Sequence, residues 1–408
     1  MTRTERIYYL VLSLYYASWS FTAPIYSLFL LSRGLDLLQI NLVFATYLIT
    51  AFLFEVPTGA IADVFGRKVS FLLSCGIRAL AFSYYFYADT FAEFLLAEFV
   101  DGIGTTLATG ALDAWAVDGI RAEGDLRPKD KMFARSHLLA RVPMIAAGLI
   151  SGYVAEGGLE WPFALGAALF VLTAATGAWF MQDDRAAVAA ARGGQPRSGI
   201  LATMAQGWAE VRVDPTLRWL CLLTAVISFA ALPTWHYWSP RMQDLSGSGT
   251  SLIGWVFAAI NLSAMAGSLI AVRAQSWPRR WLLAVATMIR GVTLGFAATA
   301  SSFAPALSGF LFFEFGFALS EPLFMSWTSE RSSSARRATV LSLRSMAFTL
   351  GGSVGLVCLG FVARAHGIST AWLCSAAILV VAALSTLFAR GDRAAGSQAG
   401  VGSAAGVS

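Results

Sequence analysis

Ionisable side chains lodged in long apolar runs are the residues of this sequence with chemistry to do. Glu55, Glu98, Asp101, Asp113, Glu314 and Glu321, together with Arg78, Arg135, Arg141, Arg290 and Arg344, interrupt stretches made mostly of Ala, Val, Leu, Ile, Phe and Gly. A charge in an apolar solvent is costly, so such a group either pairs with an opposite charge or takes up and releases a proton at a wet cavity. Covalent chemistry has no comparable foothold. The histidines His137, His236 and His366 are scattered, no nucleotide-cradling glycine loop is present, and no Cys or His spacing matches a metal site. Cys75, Cys221, Cys358 and Cys374 all fall inside apolar runs and read as small buried side chains. Neither a metal nor a cofactor is expected, and the chain does not read as an enzyme.

The elements that hold these charges follow from composition. With 57% hydrophobic and only 13% charged residues among 408, the chain lacks the polar surface of a soluble domain of its size. A spanning helix needs ~20 apolar residues, and the sequence divides into twelve such runs: 8–31, 38–62, 68–87, 91–118, 132–155, 161–181, 217–237, 251–272, 281–299, 303–328, 338–363 and 369–389. The basic start, residues 1–6, leads into a full-length span without a small-residue cleavage site, so it reads as helix 1 and not as a signal peptide. Residues 182–214 change to Ala, Arg, Gly, Gln and Pro. They read as a cytoplasmic linker between halves 1–181 and 215–390, with an amphipathic surface helix at 200–211. The tail 391–408 is small and polar and reads as disordered. Basic residues cluster on one side of these spans, with only Arg33, Arg241 and Arg364 on the other, which places both termini in the cytoplasm. The net charge of +5 is therefore a topological signal and implies no nucleic-acid partner.

The joint between the second and third runs is Gly59-Ala60-Ile61-Ala62-Asp63-Val64-Phe65-Gly66-Arg67-Lys68. Its pattern G-x-x-x-D-x-x-G-R-K resembles the helix 2 to 3 signature loop of the major facilitator superfamily of secondary transporters. That resemblance implies an all-α membrane protein of twelve transmembrane helices in two six-helix pseudo-symmetric halves, rocking about a midplane site. It also implies a conformational gate: Asp63 caps the N-terminus of helix 11, and Arg67 pairs with an acid at the cytoplasmic end of helix 4, where Asp118 lies. Gly59, Gly66 and Lys68 complete the loop. A parallel repeat fits the same scheme. Gly59-Ala60-Ile61-Ala62 returns as Gly267-Ser268-Leu269-Ile270, and at the same offset Gly152-Tyr153-Val154-Ala155 returns as Gly360-Phe361-Val362-Ala363 and Asp113 as Glu321. Trp115 with Trp327, and Arg78 with Arg290, share a slightly longer offset. Asp63 maps onto Ala271, so the charge lock should be stronger in the first half.

Depth along the helices sorts the charges. At ~1.5 Å per residue, Glu55, Asp113 and Arg141 share a layer near the basic end, and Glu321 with Arg344 forms its counterpart. Both sets, with Arg135 nearby, read as ion pairs that lock helices 4 to 5 and 10 to 11. Asp101 lies deeper, with only Arg78 near its level, and is the first candidate for proton coupling, followed by Glu98, Glu314, Glu55 and Asp113. Related antiporters carry R-x-x-x-G in helix 4; here Glu98 takes the place of the Arg. Their helix 5 motif is absent too, and Gly148-x-x-x-Gly152 keeps only a small-residue packing face. By resemblance the cavity lies between helices 1, 4, 7 and 10, which nominates Tyr16, Trp19, Trp115, Trp235 and Phe313 as lining. The implied function is proton-coupled export of a hydrophobic or amphipathic small molecule, a drug or natural product, by alternating access. Import or uniport of a metabolite, or a non-transporting sensor or scaffold, is the alternative. A monomer in a bacterial cytoplasmic membrane is expected, the scarcity of Lys beside Arg pointing to a GC-rich bacterium.

Overall fold

The computed structural model describes residues 1–125, 129–182, 208–274, 277–333 and 337–388. Its helices, in chain order, are α1 (Arg3–Ser20), α2 (Tyr26–Ser32), α3 (Leu37–Phe65), α4 (Arg67–Tyr87), α5 (Phe91–Ala108), α6 (Ala111–Ala122), α7 (Asp130–Val154), α8 (Trp161–Phe180), α9 (Pro215–Ser246), α10 (Thr250–Arg273), α11 (Arg279–Thr299), α12 (Phe303–Arg331) and α13 (Arg337–Phe388). By length and composition nine stretches of the described residues can cross a membrane, α5 and α6 counting as one. The stretch within α13 bends at Gly367, φ 83°, into two arms. With α1 and α2 as one broken passage, and α7, the set is consistent with twelve spans. Most of the expected linker and the tail lie outside the described residues. Of the expected surface helix only 208–211 is described, and it is helical, the helix running on to 213.

Several helices depart from the expected runs for local reasons. The first is interrupted at residues 21–25, where Pro24 supplies no amide donor and the chain passes through turns closed by Thr22 N to Trp19 O and Ile25 N to Thr22 O, both 3.1 Å. The fourth breaks between α5 and α6 at Gly110, whose φ of 72° suits a residue without Cβ. The signature turn is tighter than its sequence implies. Gly66 alone, at φ 97°, separates α3 from α4. The seventh helix runs on to Ser246, its start capped by Asp214, which accepts from Thr216 N at 2.7 Å and Leu217 N at 3.3 Å.

Helix pairing repeats between the halves. In the first, α3 packs on α5, α4 on α5 and α8, and α1 on α7. In the second, α10 packs on α12, α11 on α12 and α13, and α9 on α13. The halves meet through α3 with α13 and α7 with α10, two symmetry-equivalent seams.

Both seams are closed at the end of the bundle away from Gly66. In one, Asn41 Nδ2 donates to Tyr237 Oη at 2.5 Å and to the Leu356 carbonyl at 2.8 Å, and Arg364 pairs with Asp36 at 3.4 Å. In the other, Thr250 Oγ1 donates to the Gly152 carbonyl at 2.8 Å, and Gly148, Gly152 and Gly254 let the backbones touch. The small-residue face expected around Gly148 is therefore an inter-half seam. A Cβ at Gly152 would lie 2.8 Å from Thr250 O and 2.9 Å from Gly254 Cα. Gly152→Val should accordingly cost about 1–3 kcal/mol through overpacking. A lowered melting temperature in detergent, with a longer spin-label distance across α7 and α10, is the expected result; a wild-type melt would refute it.

At the Gly66 end no hydrogen bond or ion pair joins the halves among the described residues. There the last turns of α3 are open, with Glu55, Val56, Gly59, Asp63, Val64 and Phe65 exposed. Among the described residues the bundle is thus closed at the end away from the signature turn and unbridged toward it.

Candidate functional site

Between the halves lies a cavity of about 730 Å³ lined from both sides. Its first-half wall is built on α4 and α5. Arg78 donates from Nε to Asp101 Oδ1 at 2.8 Å and from Nη2 to Asp101 Oδ2 at 3.0 Å, while its Nη1 donates to Tyr15 Oη at 3.0 Å. The guanidinium also lies 4.7 Å from the Phe170 ring centre and 5.3 Å from that of Tyr15. Arg78 and Asp101 are 6% exposed, so this is a closed, buried, bidentate pair. Asp101, the first candidate for proton coupling, is thus not merely level with Arg78 but bonded to it twice.

One helical turn from Asp101, Glu98 takes a different environment. It is 5% exposed, and Glu98 Oε1 accepts from Tyr26 Oη at 2.5 Å and Tyr85 Oη at 2.6 Å. Among the described residues no cation bonds to it. Tyr26 opens α2 just past the Pro24 break, so the interruption of the first helix brings a phenol to this carboxyl. The ring of Tyr26 in turn packs at a tilt against His236 of α9, 5.9 Å between centres, and the Phe44 ring of α3 is centred 4.3 Å from the same imidazole. His236 roofs the cavity, its buried Nε2 without a hydrogen-bond partner.

The second-half wall repeats the first with a change of chemistry. Arg290 on α11 occupies the place of Arg78, and Gly316 admits it as Gly104 admits Arg78: an added Cβ would meet the arginine Cγ at 2.7 Å and 2.6 Å respectively. Phe313 and Phe317 cover the guanidinium at 5.0 Å and 5.2 Å. Glu314 stands beside it in the role of Asp101, but no hydrogen bond or ion pair closes between them, and Arg290 Nε is buried without a partner among the described residues. Arg141 reaches over from α7 and donates from Nη1 to Asn261 Oδ1 of α10 at 2.8 Å.

The remaining expectations divide. Arg67 pairs with Asp118, the acid expected for it, and also donates to the Ala114 carbonyl at 2.7 Å. Lys68 caps the end of α8 by donating to Ala178 O at 2.9 Å and Met181 O at 2.6 Å. Asp63 is exposed and makes no bond to the described start of α13, because the halves are apart at this end. Glu321 and Arg344 pair at 2.8 Å as expected. Glu55 does not join Asp113 and Arg141, since it faces outward on the open part of α3. Asp113 instead accepts from Tyr8 Oη at 2.7 Å. Arg135 is exposed and unpaired among the described residues, and Arg141 bonds an amide in place of a carboxylate. Tyr16, Trp19, Trp235 and Phe313 line the cavity. Trp115 does not; it is 3% exposed in a packed cluster, its Nε1 donating to Gln182 O at 3.1 Å.

Sequence reasoning left out the phenol pair on Glu98 and the part played by Arg290. The shared offset of Arg78 with Arg290, matched by Gly104 with Gly316, was the signal for the latter. No periodicity marks the former, because Tyr26, Tyr85 and Glu98 come from three separate helices.

Comparison with known proteins agrees with this architecture. The family model described as Major Facilitator Superfamily matches residues 8–355. An uncharacterized MFS-type transporter, YxaM of Bacillus subtilis (strain 168), is 24% identical over 365 residues, covering 88% of this chain and 89% of that protein. Among solved structures, the nucleoside transporter NupG superposes with a TM-score of 0.77 at 16% identity, covering 95% of this chain and 99% of NupG. A D-xylose-proton symporter superposes with a TM-score of 0.72 at 16% identity, covering 94% and 96%. The two repeated halves, the signature turn at Gly66 and the family match along most of the length make this chain a multi-pass membrane transporter of the Major Facilitator Superfamily.

Proposed function

We propose that the protein is a proton-coupled secondary transporter of an amphipathic small molecule, working by alternating access as a monomer in a bacterial cytoplasmic membrane with both termini inside. The observation that carries this reading is Glu98. It is a buried carboxyl held by two phenols and, among the described residues, by no cation, at the wall of a cavity rich in aromatic side chains. Such a group can be ionised or neutral without breaking a salt bridge, which Asp101 cannot. Through the Tyr26 phenol it is bonded to α2, whose Tyr26 ring also packs beside His236 at the closed end of the cavity.

Direction depends on how proton and substrate interact. Competition between them yields exchange and export, the direction favoured by the sequence resemblance. Joint binding yields uptake, the second reading, in keeping with a fold shared with a D-xylose-proton symporter. The test is reconstitution into liposomes carrying an interior pH dye, with amphipathic compounds added under an imposed gradient. Substrate-triggered proton movement that is lost in Glu98→Gln is expected; flux indifferent to the pH gradient would refute proton coupling.

A further inference from the structure

The repeat closes its buried arginine on a carboxylate in one half and leaves the equivalent arginine open in the other. In the first half, Asp101 takes two bonds from Arg78. In the second, Glu321 takes Arg344 at 2.8 Å, but Arg290 and Glu314 make no bond to each other or to any described side chain. Arg141, half-buried, spends one donor on Asn261. A guanidinium carries five donors and stays charged at any pH the protein meets. Two cations therefore face a single carboxylate in this part of the cavity. Every charged or titratable group there can be named. Arg290 comes from α11, Arg141 from α7, Glu314 and the engaged Glu321 from α12, Arg344 from α13 on Glu321, and Tyr16 from α1, with Asp113 of α6 beyond Tyr16 and held by the Tyr8 phenol; α10 contributes the neutral Asn261, and α9 only His236 at the roof.

We propose that this subsite takes an amphipathic organic monoanion, its carboxylate bound by Arg141 with the charge of Arg290 behind it and its apolar part against Phe313, Trp235 and Tyr16. The inference rests on the transporter reading of the cavity and adds the substrate's chemical class. Arg141 is the contact, because it is half-buried with donors to spare. Arg290 lies 1% exposed beneath the rings of Phe313 and Phe317, so it acts through its field. Glu314 is then the competitor. Ionised, its charge offsets that of the two cations through space; protonated, it leaves their charge to the substrate. Anion and proton consequently bind together, and for this class the cycle is uptake down a proton gradient, not the exchange expected from sequence resemblance.

The test uses purified full-length protein in nanodiscs and calorimetric titration with phenylacetate, 1-naphthylacetate and indole-3-acetate. Each is set beside its neutral carboxamide and its cationic amine analogue, at about pH 5.5 and about pH 8. Acids should bind roughly 10- to 100-fold tighter than amides, as a charge-assisted bond requires, and tighter at the lower pH. Arg141→Gln should erase the preference. Glu314→Gln should make acid binding strong at both pH values, a gain that a misfolded variant cannot produce. Equal binding of acids and amides, preference for amines, or no binding by any of the three acids would overturn the proposal. The same compounds in the pH-dye liposomes separate the two readings. Proton movement driven by amides or amines alone would keep the transporter and remove the anion site. Acid binding with the stated pattern but no proton movement would keep the site and remove the coupling.

Discussion

Replacing Asp101 with asparagine should destabilise the protein by about 3–5 kcal/mol, the cost of leaving a buried partner charge uncompensated. Arg78 cannot shed its proton, and its surroundings are Tyr15, Phe82 and Phe170, none of which neutralises it. An asparagine keeps one acceptor and loses the charge. Thermal unfolding in detergent should therefore shift to markedly lower temperature. The double variant Arg78→Met/Asp101→Leu should recover most of the loss, because burying two apolar groups of similar size avoids the desolvation of both ions. If Asp101→Asn melts like the wild type but abolishes proton-driven accumulation, the pair is not structural, and Asp101 resumes the coupling role its position along the helix first suggested.

Glu98→Gln should produce the opposite pattern. The amide retains an acceptor for Tyr26 or Tyr85, so stability should change little, yet the group no longer binds and releases a proton. Accumulation driven by a pH gradient should fall roughly 100-fold, the upper range of a coupling free energy between two sites. Counterflow, which exchanges substrate without net proton movement, should persist. Tyr26→Phe and Tyr85→Phe serve as controls: each removes one donor to the carboxyl and should displace the pH profile of transport without stopping counterflow. Loss of counterflow in Glu98→Gln would instead place Glu98 in substrate binding. Retained accumulation would move the coupling proton to Glu314.

These two expectations differ because two carboxylates three residues apart on one helix face have been given different partners. Along the sequence Glu98 and Asp101 look alike, each an acid in an apolar run. The cation that silences Asp101 is on α4, and the phenols that isolate Glu98 are on α2 and α4. The same holds at Glu55 and Asp113. Counting residues from a helix end places them at one depth, but depth says nothing about which way a side chain points around the axis, and Glu55 points outward.

What the sequence determined by itself was set by solvent and local chemistry. Apolar runs of bilayer length require helices, since a backbone in hydrocarbon must satisfy its own hydrogen bonds. The glycine at position 66 ahead of Arg67 and Lys68 permits a turn, Gly148-x-x-x-Gly152 permits close packing, and matching segments at two neighbouring offsets announce two halves. Arg67 with Asp118 and Glu321 with Arg344 were also legible, because a charge at a helix end or one layer deep has few reachable partners. Only the tertiary structure decided the rest. The breaks at Pro24 and Gly110, the closure of Arg78 on Asp101 but not of Arg290 on Glu314, and the removal of Trp115 from the cavity all depend on rotation and register between helices. Those are fixed by side-chain packing across seams that no single helix encodes. A shift of one residue between otherwise equivalent acids, Asp101 and Glu314, is enough to leave one arginine bonded and the other waiting.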